Sequence, residues 1–380
     1  MNNPFVYGKE VRGYQFYDRR ASCDELYGYL KDGSTNVVLY APRRYGKTSM
    51  VIRVLERMKA EGFDCLLFDV SKVATVEKFC EAYATAVYAV YGGLPEIGNQ
   101  IAQYLLHLHP TVSFTAKGVS VRFEYGERMN EASLTDVLDL PEKLAAETKR
   151  PIIVAFDEFQ DIAMLSRSMR LESVFRSAIQ SHRNARYVFF GSKTHMMKRM
   201  FGAFSRPFYK SAFNMKIGKP PREESAEFVS SRFGNEGITV DGEALEKILE
   251  VSANIPYYLQ AVSGLVFGAV ERQNGERVRV EDVDEALERF VESNADLYAE
   301  ILRNLSPAQR AMIEALAEEP VGRLNEAYRR RHGLSGLSSV HSALTGLVNR
   351  GLVESEAKGY VIGDPIFARY VRTESPAKVI

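Results

Sequence analysis

The sequence contains no tryptophan and only three cysteines among its 380 residues. Cys23, Cys65 and Cys80 form no CxxC pair, which argues against a disulfide framework and against a zinc site. No apolar run approaches the ~18 residues that a membrane-spanning helix needs, and residues 1–20 lack the apolar segment of a signal peptide. We therefore expect a cytoplasmic protein in a reducing compartment, with no membrane partner.

Net charge is absent as well, because 49 Lys and Arg residues balance 49 Asp and Glu residues. A neutral chain has no global attraction for nucleic acid or for an anionic membrane, so any such binding must come from a local patch. With 14 prolines, 27 glycines and 46% hydrophobic residues, the composition excludes a mainly disordered or low-complexity chain. The length suggests about two or three globular domains.

The first 219 residues have the pattern of a parallel sheet covered by helices. Apolar runs of strand length indicate buried strands at 36–40, 65–70, 152–156 and 187–190, and residues 213–217 (FNMKI) could supply a fifth strand. Apolar residues at helical spacing lie between these runs, at 48–59, 76–91 and 171–181. Buried strands that alternate with helices predict an α/β domain with helices on both faces of a parallel sheet.

Residues 111–125 interrupt this order. Apolar and polar residues alternate there around Lys117-Gly118, which predicts an inserted hairpin. Two interpretations stay open for it: an edge hairpin with no function of its own, or the edge of a lid or a surface for a partner.

The pattern becomes helical after residue 219, at 222–233, 241–253, 255–274 and 280–303. Ser306, Pro307 and Gln309 then have the capping-box signature that begins a new helix. Three helices and a hairpin follow, at 307–317, 323–332, 338–350, 352–355 and 360–362. We therefore predict three domains: an α/β domain at 1–219, a helical domain at 220–304 and a winged-helix domain at 305–380.

The strongest motif is APRRYGKT at residues 41–48, between a predicted strand and a predicted helix. It matches GxxxxGK[ST] except at Ala41, which must keep a negative φ or be strained. In this phosphate-binding loop, backbone N–H groups surround phosphate oxygens, Lys47 reaches the β- and γ-phosphates, and the Thr48 hydroxyl ligates Mg²⁺. A loop that binds nucleotide without hydrolysing it, and a chance match, are the alternatives. The predicted nucleotide contacts in this loop are Pro42, Arg43, Arg44, Tyr45, Gly46, Lys47, Thr48 and Ser49.

A second signal follows the apolar strand at 152–156, which ends in Asp157-Glu158. In a Walker B element of this kind, Asp157 would hold the Mg²⁺ shell and Glu158 would orient and polarise the water that attacks the γ-phosphate. Ser192 follows the neighbouring strand at 187–190, where its hydroxyl could contact the γ-phosphate or the water, although Gly-Ser after a strand is often only a turn. Glu158, Lys47 and Ser192 are therefore the catalytic candidates, and Thr48 and Asp157 the metal ligands.

These motifs occur in an order that resembles the archaeal-type AAA+/STAND-related ATPases. The resemblance rests on the following segments: Asn3-Pro4-Phe5, PRRYGKTS at 42–49, DEFQ at 157–160, Gly191-Ser192, Pro207-Phe208-Tyr209 and NIPYY at 254–258. It implies a P-loop NTPase domain followed by a helical lid and a winged helix. It also implies ATP as the nucleotide, with the adenine between Pro4 and Phe5 on one side and Pro256 on the other.

The chain departs from that family at two positions. Asn254 replaces a glycine before Pro256, a change that the backbone can accept because Asn tolerates left-handed conformations. Ser211 replaces the arginine of the family's PLYGRA segment, so the identity of an arginine finger is open. Lys210 and Arg206 are the basic candidates nearby, but a Lys does not reproduce the bidentate contact of an Arg with phosphate.

The winged helix also raises the question of DNA. Residues 320–372 contain eight Lys or Arg and four Asp or Glu, and Arg329-Arg330-Arg331 could hold a backbone phosphate or form a solvated helix end. The predicted recognition helix is polar but poorly charged, so we expect a protein partner or a homo-oligomer more than DNA.

The leading hypothesis is a Mg²⁺-dependent ATP-hydrolysing switch whose nucleotide controls the docking of the lid and the winged helix. A nucleotide-regulated DNA-binding protein with slow or no hydrolysis is the alternative, and an assembly module that uses the hairpin is a third. No base-reading motif decides between ATP and GTP.

Overall fold

The computed structural model describes residues 3–374, apart from residues 10, 12, 14, 15, 17, 18, 93, 109, 116, 117, 124–129, 166–169, 323, 357 and 358. The described chain forms two compact units. Residues 19–218 make the sheet unit, and the residues before 19 together with those from 219 onward make the helical unit. The chain therefore passes between the units twice, at 18/19 and at 218/219. Within the described residues, no helix has both the length and the apolar character needed to cross a membrane.

The sheet unit contains a five-stranded parallel sheet in the order β2-β5-β6-β1-β7 and a separate antiparallel hairpin, β3-β4. The strands are β1 (Val37–Tyr40), β2 (Asp64–Asp69), β3 (Pro110–Thr115), β4 (Gly118–Phe123), β5 (Ile152–Asp157), β6 (Ala185–Gly191) and β7 (Phe213–Lys216). The four apolar runs predicted as strands, and the possible fifth strand at 213–217, are all strands of this sheet. The reason is burial, because β1 is buried along its whole length and β5 along all but its last residue.

Helices flank the sheet, which confirms the predicted fold class. They are α1 (Arg20–Asp32), α2 (Lys47–Ala60), α3 (Val76–Val90), α4 (Pro95–Tyr104), α5 (Glu131–Leu138), α6 (Leu140–Thr148), α7 (Leu171–Ser181) and α8 (Thr194–Gly202). The sequence patterns predicted α2, α3 and α7, but they missed the other five.

An aromatic cluster fixes the ends of β5 and β6. Phe159 is fully buried directly after β5, and its ring lies 4.5 Å from Phe189 and 5.3 Å from Phe208. Phe175 and Phe201 complete the cluster. The Pro207-Phe208-Tyr209 segment therefore contributes to the core through Phe208.

The predicted hairpin is present as β3 and β4, although Lys117 and residues 124–125 lie outside the described residues. It covers α3, where the backbone N–H of Val121 donates to the Thr85 hydroxyl at 2.9 Å. Val121 itself is buried. One face of the hairpin is thus part of the hydrophobic core.

The helical unit contains nine helices among its described residues. They are α9 (Arg222–Asn235), α10 (Gly242–Val251), α11 (Pro256–Arg272), α12 (Val280–Ser293), α13 (Ala295–Arg303), α14 (Pro307–Glu318), α15 (Glu326–Arg331), α16 (Leu337–Asn349) and α17 (Pro365–Glu374). Short strands accompany them, namely β8 (Thr239–Val240), β9 (Arg277–Val278), β10 (Val353–Glu356) and β11 (Gly359–Ile362).

Two expectations for this unit were wrong. The region between 220 and 304 is not purely helical, because β8 and β9 pair in parallel. The helix predicted at 280–303 is two helices, since Asn294 leaves the helical conformation and its side-chain amide donates to the Phe290 carbonyl at 2.9 Å. The winged helix is present in α14 to β11, with the predicted capping box at Ser306.

The sequence patterns also missed α17, which joins the winged helix to the preceding helices. It packs against α12 and α14, and the Tyr298 ring of α13 lies 5.3 Å from Phe367 and 5.4 Å from Tyr370. The described part of the helical unit thus has a continuous core. A division of this unit at residue 304/305 stays a prediction.

Candidate nucleotide site

The predicted catalytic and phosphate-binding residues converge at one edge of the sheet. The strands β5, β6 and β1 are neighbours and run parallel, so their carboxyl ends meet at the same edge. The loop at 41–46 follows β1, Asp157 and Glu158 end β5, and Ser192 follows β6. Ligands of open α/β sheets bind at this edge.

The loop at 41–46 bends through two left-handed residues, Arg44 with φ 70° and Gly46 with φ 75°. Ala41 keeps a negative φ and is buried, so the replacement of the usual glycine introduces no backbone strain there. The strain lies instead at Arg44, where a left-handed non-glycine residue costs about 1–2 kcal/mol. Gly46 begins α2, and no side chain caps that helix.

Lys47 is 7% exposed and folds back over the loop. Its Nζ donates to the carbonyls of Ala41 at 2.8 Å and Pro42 at 2.7 Å. Arg43 and Arg44 are exposed, and Ser49 is half-buried in the first turn of α2. The lysine ammonium is therefore held at the loop by backbone oxygens.

Thr48 and Asp157 form the predicted metal-binding pair, with the Thr48 hydroxyl donating to Asp157 Oδ2 at 2.9 Å. Burial raises the pKa of Asp157 to about 6, and the carboxylates of Glu158 and Asp69 act in the same direction, while the Thr48 hydrogen bond opposes them. Asp69 lies opposite Asp157 in the β2-β5 register, a neighbour that the motif did not reveal.

These groups fit Mg²⁺, because hydroxyl and carboxylate oxygens are its preferred protein ligands. A buried carboxylate among like charges is also a place where a cation would relieve electrostatic repulsion. The described residues contain no cluster of three or more His, Cys, Asp or Glu residues arranged for a metal. Mg²⁺ held here would therefore take its other ligands from phosphate and water.

Glu158 has a left-handed backbone with φ 47°, and three donors converge on its Oε2. The Ser192 backbone N–H donates at 2.9 Å, the Ser192 hydroxyl at 3.0 Å and the Gln160 amide at 2.5 Å. Burial raises the pKa of Glu158, but these hydrogen bonds and the charge of Lys47 outweigh it and hold the pKa below its usual value. Arg43 Nε donates to the Ser192 hydroxyl at 3.2 Å and so connects the loop to this group.

Arg19 is a residue of this site that sequence reasoning missed. It is 5% exposed, and its guanidinium donates to the carbonyls of Tyr45 at 2.7 Å and Gly218 at 2.6 Å. Tyr45 belongs to the phosphate-binding loop and is itself buried. Arg19 and Gly218 are the first and last residues of the sheet unit. One side chain therefore links the loop to both places where the chain leaves that unit.

The basic candidates near the missing family arginine have other partners. Arg206 forms a bidentate ion pair with Glu172. Lys210 has a left-handed backbone with φ 53°, and its ammonium lies 5.4 Å from the centre of the Tyr209 ring. The Ser211 hydroxyl donates to the Phe208 carbonyl at 2.8 Å and so closes the turn locally.

The residues predicted to hold adenine belong to the helical unit. Phe5 is 4% exposed, and its ring lies 5.0 Å from Phe233 and 6.0 Å from Phe228, so the side chain is part of that unit's core. Pro4 is also buried. Pro256 is half-buried at the first position of α11. A contact of these residues with adenine stays a prediction.

Asn254 takes the left-handed conformation expected of the glycine it replaces, with φ 54°. Its side-chain amide donates to the Pro220 carbonyl at 2.7 Å. The substitution is therefore compatible with the backbone that the family resemblance implies.

Three arginines of the winged helix, Arg330, Arg331 and Arg350, have local partners. Arg330 forms an ion pair with Glu326, and Arg331 pairs with Glu319 at 2.6 Å. Arg350 Nη1 donates to the Asn304 carbonyl at 2.8 Å.

A family model described as a probable winged helix domain matches residues 296–373. Over nearly the whole chain, the structure is similar to a Walker-type ATPase of Pyrococcus abyssi, with a TM-score of 0.68 and 18% identity, covering 97% of this chain and 99% of that one. The ORC2 protein of Aeropyrum pernix, solved in ADPNP and ADP complexes, matches with a TM-score of 0.58 and 14% identity over 98% of this chain and 97% of its own. The ORC1 protein of the same organism, solved in complex with DNA, matches with a TM-score of 0.50 and 17% identity over 95% and 93%. No curated protein sequence matches this chain.

The fold defines the class: this chain has a P-loop NTPase sheet, a helical region and a C-terminal winged helix, and this fold is similar to that of the Walker-type ATPase. Its structural similarity to the archaeal Walker-type ATPase and the ORC proteins confirms, at the level of the fold, the resemblance indicated by the motifs.

Proposed function

We propose that the protein is a Mg²⁺-dependent ATPase in which the bound nucleotide acts as a switch. The observation that carries this proposal is the convergence of three groups at one sheet edge: Lys47 in its loop, the Thr48–Asp157 pair and the Glu158–Ser192 pair. A protein that only bound nucleotide would need the loop and its lysine, but it would not need a carboxylate placed like Glu158.

The residues would act on ATP as follows. Lys47 would exchange its loop carbonyls for the β- and γ-phosphates, and the N–H groups of the loop would hold phosphate oxygens. Glu158 would orient and polarise the attacking water, with Ser192 fixing the carboxylate. Thr48 and Asp157 would hold Mg²⁺, which when bound supplies positive charge to the phosphates.

ATP is our proposed nucleotide because of the family resemblance, and because one structural relative was solved with ADPNP and ADP. Competition by ATP and GTP against a fluorescent nucleotide tests this choice. A preference for GTP would contradict it.

The decisive experiment for hydrolysis compares ATP turnover by the wild type and by Glu158→Gln. The variant keeps the size of the side chain and removes the carboxylate charge, so we expect Mg·ATP binding to persist and turnover to fall by roughly 10²- to 10⁴-fold. Unchanged turnover in Glu158→Gln would place the catalytic base elsewhere. No turnover in the wild type, under conditions where ATP binds, would favour the nucleotide-binding alternative.

Two observations support the switch. The chain passes between the units twice, at 18/19 and at 218/219. Arg19, at the first of these places, donates hydrogen bonds to the loop carbonyl of Tyr45 and to the carbonyl of Gly218 at the second. Because a ligand shifts a two-state equilibrium only through different affinities for the two states, ATP should change the arrangement of the units if it contacts groups of both. Spin labels at the exposed positions 103 and 345, one in each unit, test this after replacement of Cys23 and Cys65. No change in their distance on addition of ATP would contradict the switch.

DNA binding is the second candidate, and one relative was solved in complex with DNA. In this chain, however, Arg330 and Arg331 are paired with carboxylates and Arg350 with a backbone carbonyl. We therefore propose that the winged helix serves contacts with protein, in a partner or a second copy, and not with duplex DNA. ATP turnover measured with and without duplex DNA checks this, since stimulation by DNA would reverse the choice.

A further inference from the structure

Gln160 is an uncharged side chain buried beside the proposed catalytic carboxylate. It has no exposed surface, and its Nε2 lies 2.5 Å from Glu158 Oε2 and 3.4 Å from Asp161 Oδ1. Glutamine is seldom fully buried, because its amide must exchange water for protein partners. Here both acceptors of the N–H₂ group are carboxylates, so the amide acts as a donor to negative charge.

The other end of the same amide has no partner among the described residues. Gln160 Oε1 is buried, and no described residue donates a hydrogen bond to it. Leaving a buried carbonyl oxygen unpaired is unfavourable. Turning the amide over would place this oxygen 2.5 Å from the Glu158 carboxylate, where two acceptors repel each other. The orientation is therefore fixed by the carboxylate, and the side chain favours that interaction over satisfying its own oxygen.

The neighbouring strand makes room for this arrangement at Gly191, the last residue of β6. A Cβ added there would lie 1.9 Å from Gln160 Oε1, which is closer than real Cβ atoms come, and 3.0 Å from Gln160 Cδ. Gly191 has no positive φ, so its backbone does not require glycine. A larger residue at 191 would instead force the end of the Gln160 side chain to move.

Phe159 anchors the turn between the two polar residues. Its ring is fully buried in the aromatic cluster, between Phe189 and Phe208. With Phe159 fixed in the core, Glu158 and Gln160 meet at their amide and carboxylate groups.

We propose that Gln160 is a positioning residue for Glu158. We also propose that residue 191 is a glycine because a larger side chain there would displace the Gln160 amide. By occupying Glu158 Oε2 together with Ser192, the amide holds the carboxylate in one orientation and leaves Oε1 to face the attacking water. This inference rests on the proposed role of Glu158 in ATP hydrolysis.

The first test removes the amide without removing its volume. Gln160→Met keeps the length of the side chain and eliminates both the donor and the unpaired oxygen. We expect kcat for ATP to fall roughly 10- to 100-fold, the effect of one lost hydrogen bond to a charged group. The Kd for a non-hydrolysable ATP analogue, measured by calorimetry, should stay within about twofold of the wild type, and the thermal midpoint should not fall, because a buried unpaired oxygen has been removed.

The second test displaces the amide without mutating it. Gly191→Ala should force Gln160 away from Glu158, and so lower both kcat and the thermal midpoint. In Gly191→Ala/Gln160→Ala the shorter side chain removes the clash, so the thermal midpoint should recover while kcat stays low. Gly202→Ala is the matched control, since a Cβ there meets no atom within 4 Å. It should change neither quantity.

The outcomes separate this inference from the proposed function. If Glu158→Gln hydrolyses ATP like the wild type, the role of Glu158 is wrong and the inference loses its basis. If Glu158→Gln is inactive but Gln160→Met hydrolyses ATP at the wild-type rate, the positioning role alone is overturned. It is also overturned if Gln160→Met weakens binding of the analogue as much as it lowers kcat, because Gln160 would then support the fold of the whole site. Should Gly191→Ala fail to fold, Gln160→Met decides by itself.

Discussion

The sheet edge and the winged helix use their charged side chains in opposite ways. At the sheet edge, Lys47 donates to backbone carbonyls, Asp157 accepts from a hydroxyl, and Glu158 accepts from a hydroxyl and amides. In the winged helix, Arg330 and Arg331 are paired with carboxylates on an exposed surface. A charge held by neutral dipoles keeps much of its field for a ligand, whereas a charge beside an opposite charge does not. We therefore propose that the first region binds a charged ligand and that the second does not.

The largest effect should come from Lys47→Ala, which removes the positive charge from the loop. We expect ATP affinity to fall by about 100-fold or more, as for the loss of a strong charge-assisted hydrogen bond. The fold should persist with a somewhat lower stability, because the loss is confined to the loop, where two carbonyls lose the buried lysine as their donor. Calorimetric titration with ATP measures the affinity, and circular dichroism checks the fold. If the variant binds ATP as tightly as the wild type, the positive charge of Lys47 does not contribute to ATP binding.

Asp157→Asn tests whether the Thr48–Asp157 pair binds Mg²⁺. The amide can still accept from the Thr48 hydroxyl, but it no longer carries the negative charge that a cation needs. In the presence of Mg²⁺, we expect ATP affinity to fall on the order of tenfold. Loss of a group that supports a bound metal usually has an effect of this size. Affinity measured in EDTA should not fall, because without the metal the carboxylate only repels the phosphates. If the variant loses equal affinity with and without Mg²⁺, Asp157 holds the loop and not the metal.

Much of the fold could be predicted from the sequence, because four of the five strands of the sheet are apolar runs, and β1 and β5 are buried accordingly. The missed helices have weaker signals. The helices α5 and α6 join at Asp139 without a loop between them, although Pro141 lies near the start of α6, and α17 follows the predicted hairpin of the winged helix. Asn294 ends a helix through its own side chain, an effect that a helical pattern of apolar residues does not reveal.

The residues of the candidate site also fall into two groups, those that the sequence motifs predict and those that they do not. Lys47, Thr48, Asp157, Glu158 and Ser192 follow strands of one sheet, so motif spacing was enough to bring them together. Arg19 and Gln160 act through contacts that no spacing encodes. Arg19 binds the carbonyl of Gly218, far away in the sequence, and Gln160 depends on a glycine in the adjacent strand. Only the pairing of strands and the path of the chain show these contacts.

Arg19→Met tests whether the link between the loop and the chain crossings matters for binding. The methionine keeps much of the apolar stem but leaves the carbonyls of Tyr45 and Gly218 without this donor. We expect the free energy of unfolding to fall by about 2–4 kcal/mol, because two buried acceptors lose a charged partner. ATP affinity should fall by less than in Lys47→Ala, since the loop keeps its lysine. Urea unfolding and calorimetry measure the two effects.

The control for Arg19→Met is Arg53→Met, because Arg53 is an exposed residue of α2. Its replacement should change the unfolding free energy by no more than about 0.5 kcal/mol, as is usual at surface positions. If both variants bind ATP like the wild type, the link of Arg19 supports only the fold, and the sheet edge does not depend on the crossings.

The smallest effect should come from the double variant Arg330→Ala/Arg331→Ala in the winged helix. Exposed ion pairs contribute little to stability, so the thermal midpoint and ATP turnover should remain close to the wild type. Binding to a labelled duplex, followed by anisotropy at low and moderate salt, should be unchanged as well.

The opposite variant, Glu319→Gln/Glu326→Gln, removes the carboxylates and leaves the arginines charged. It should increase non-specific duplex binding at low salt, and this gain should vanish as salt rises, because it comes from phosphate contacts alone. If the arginines already contacted phosphate in the wild type, Arg330→Ala/Arg331→Ala would instead weaken duplex binding. The slope of log K against log salt concentration would then become less negative by about 0.9 for each lost phosphate contact. That result would show that local pairing does not prevent these side chains from binding a charged ligand, and the distinction between the two regions would fail.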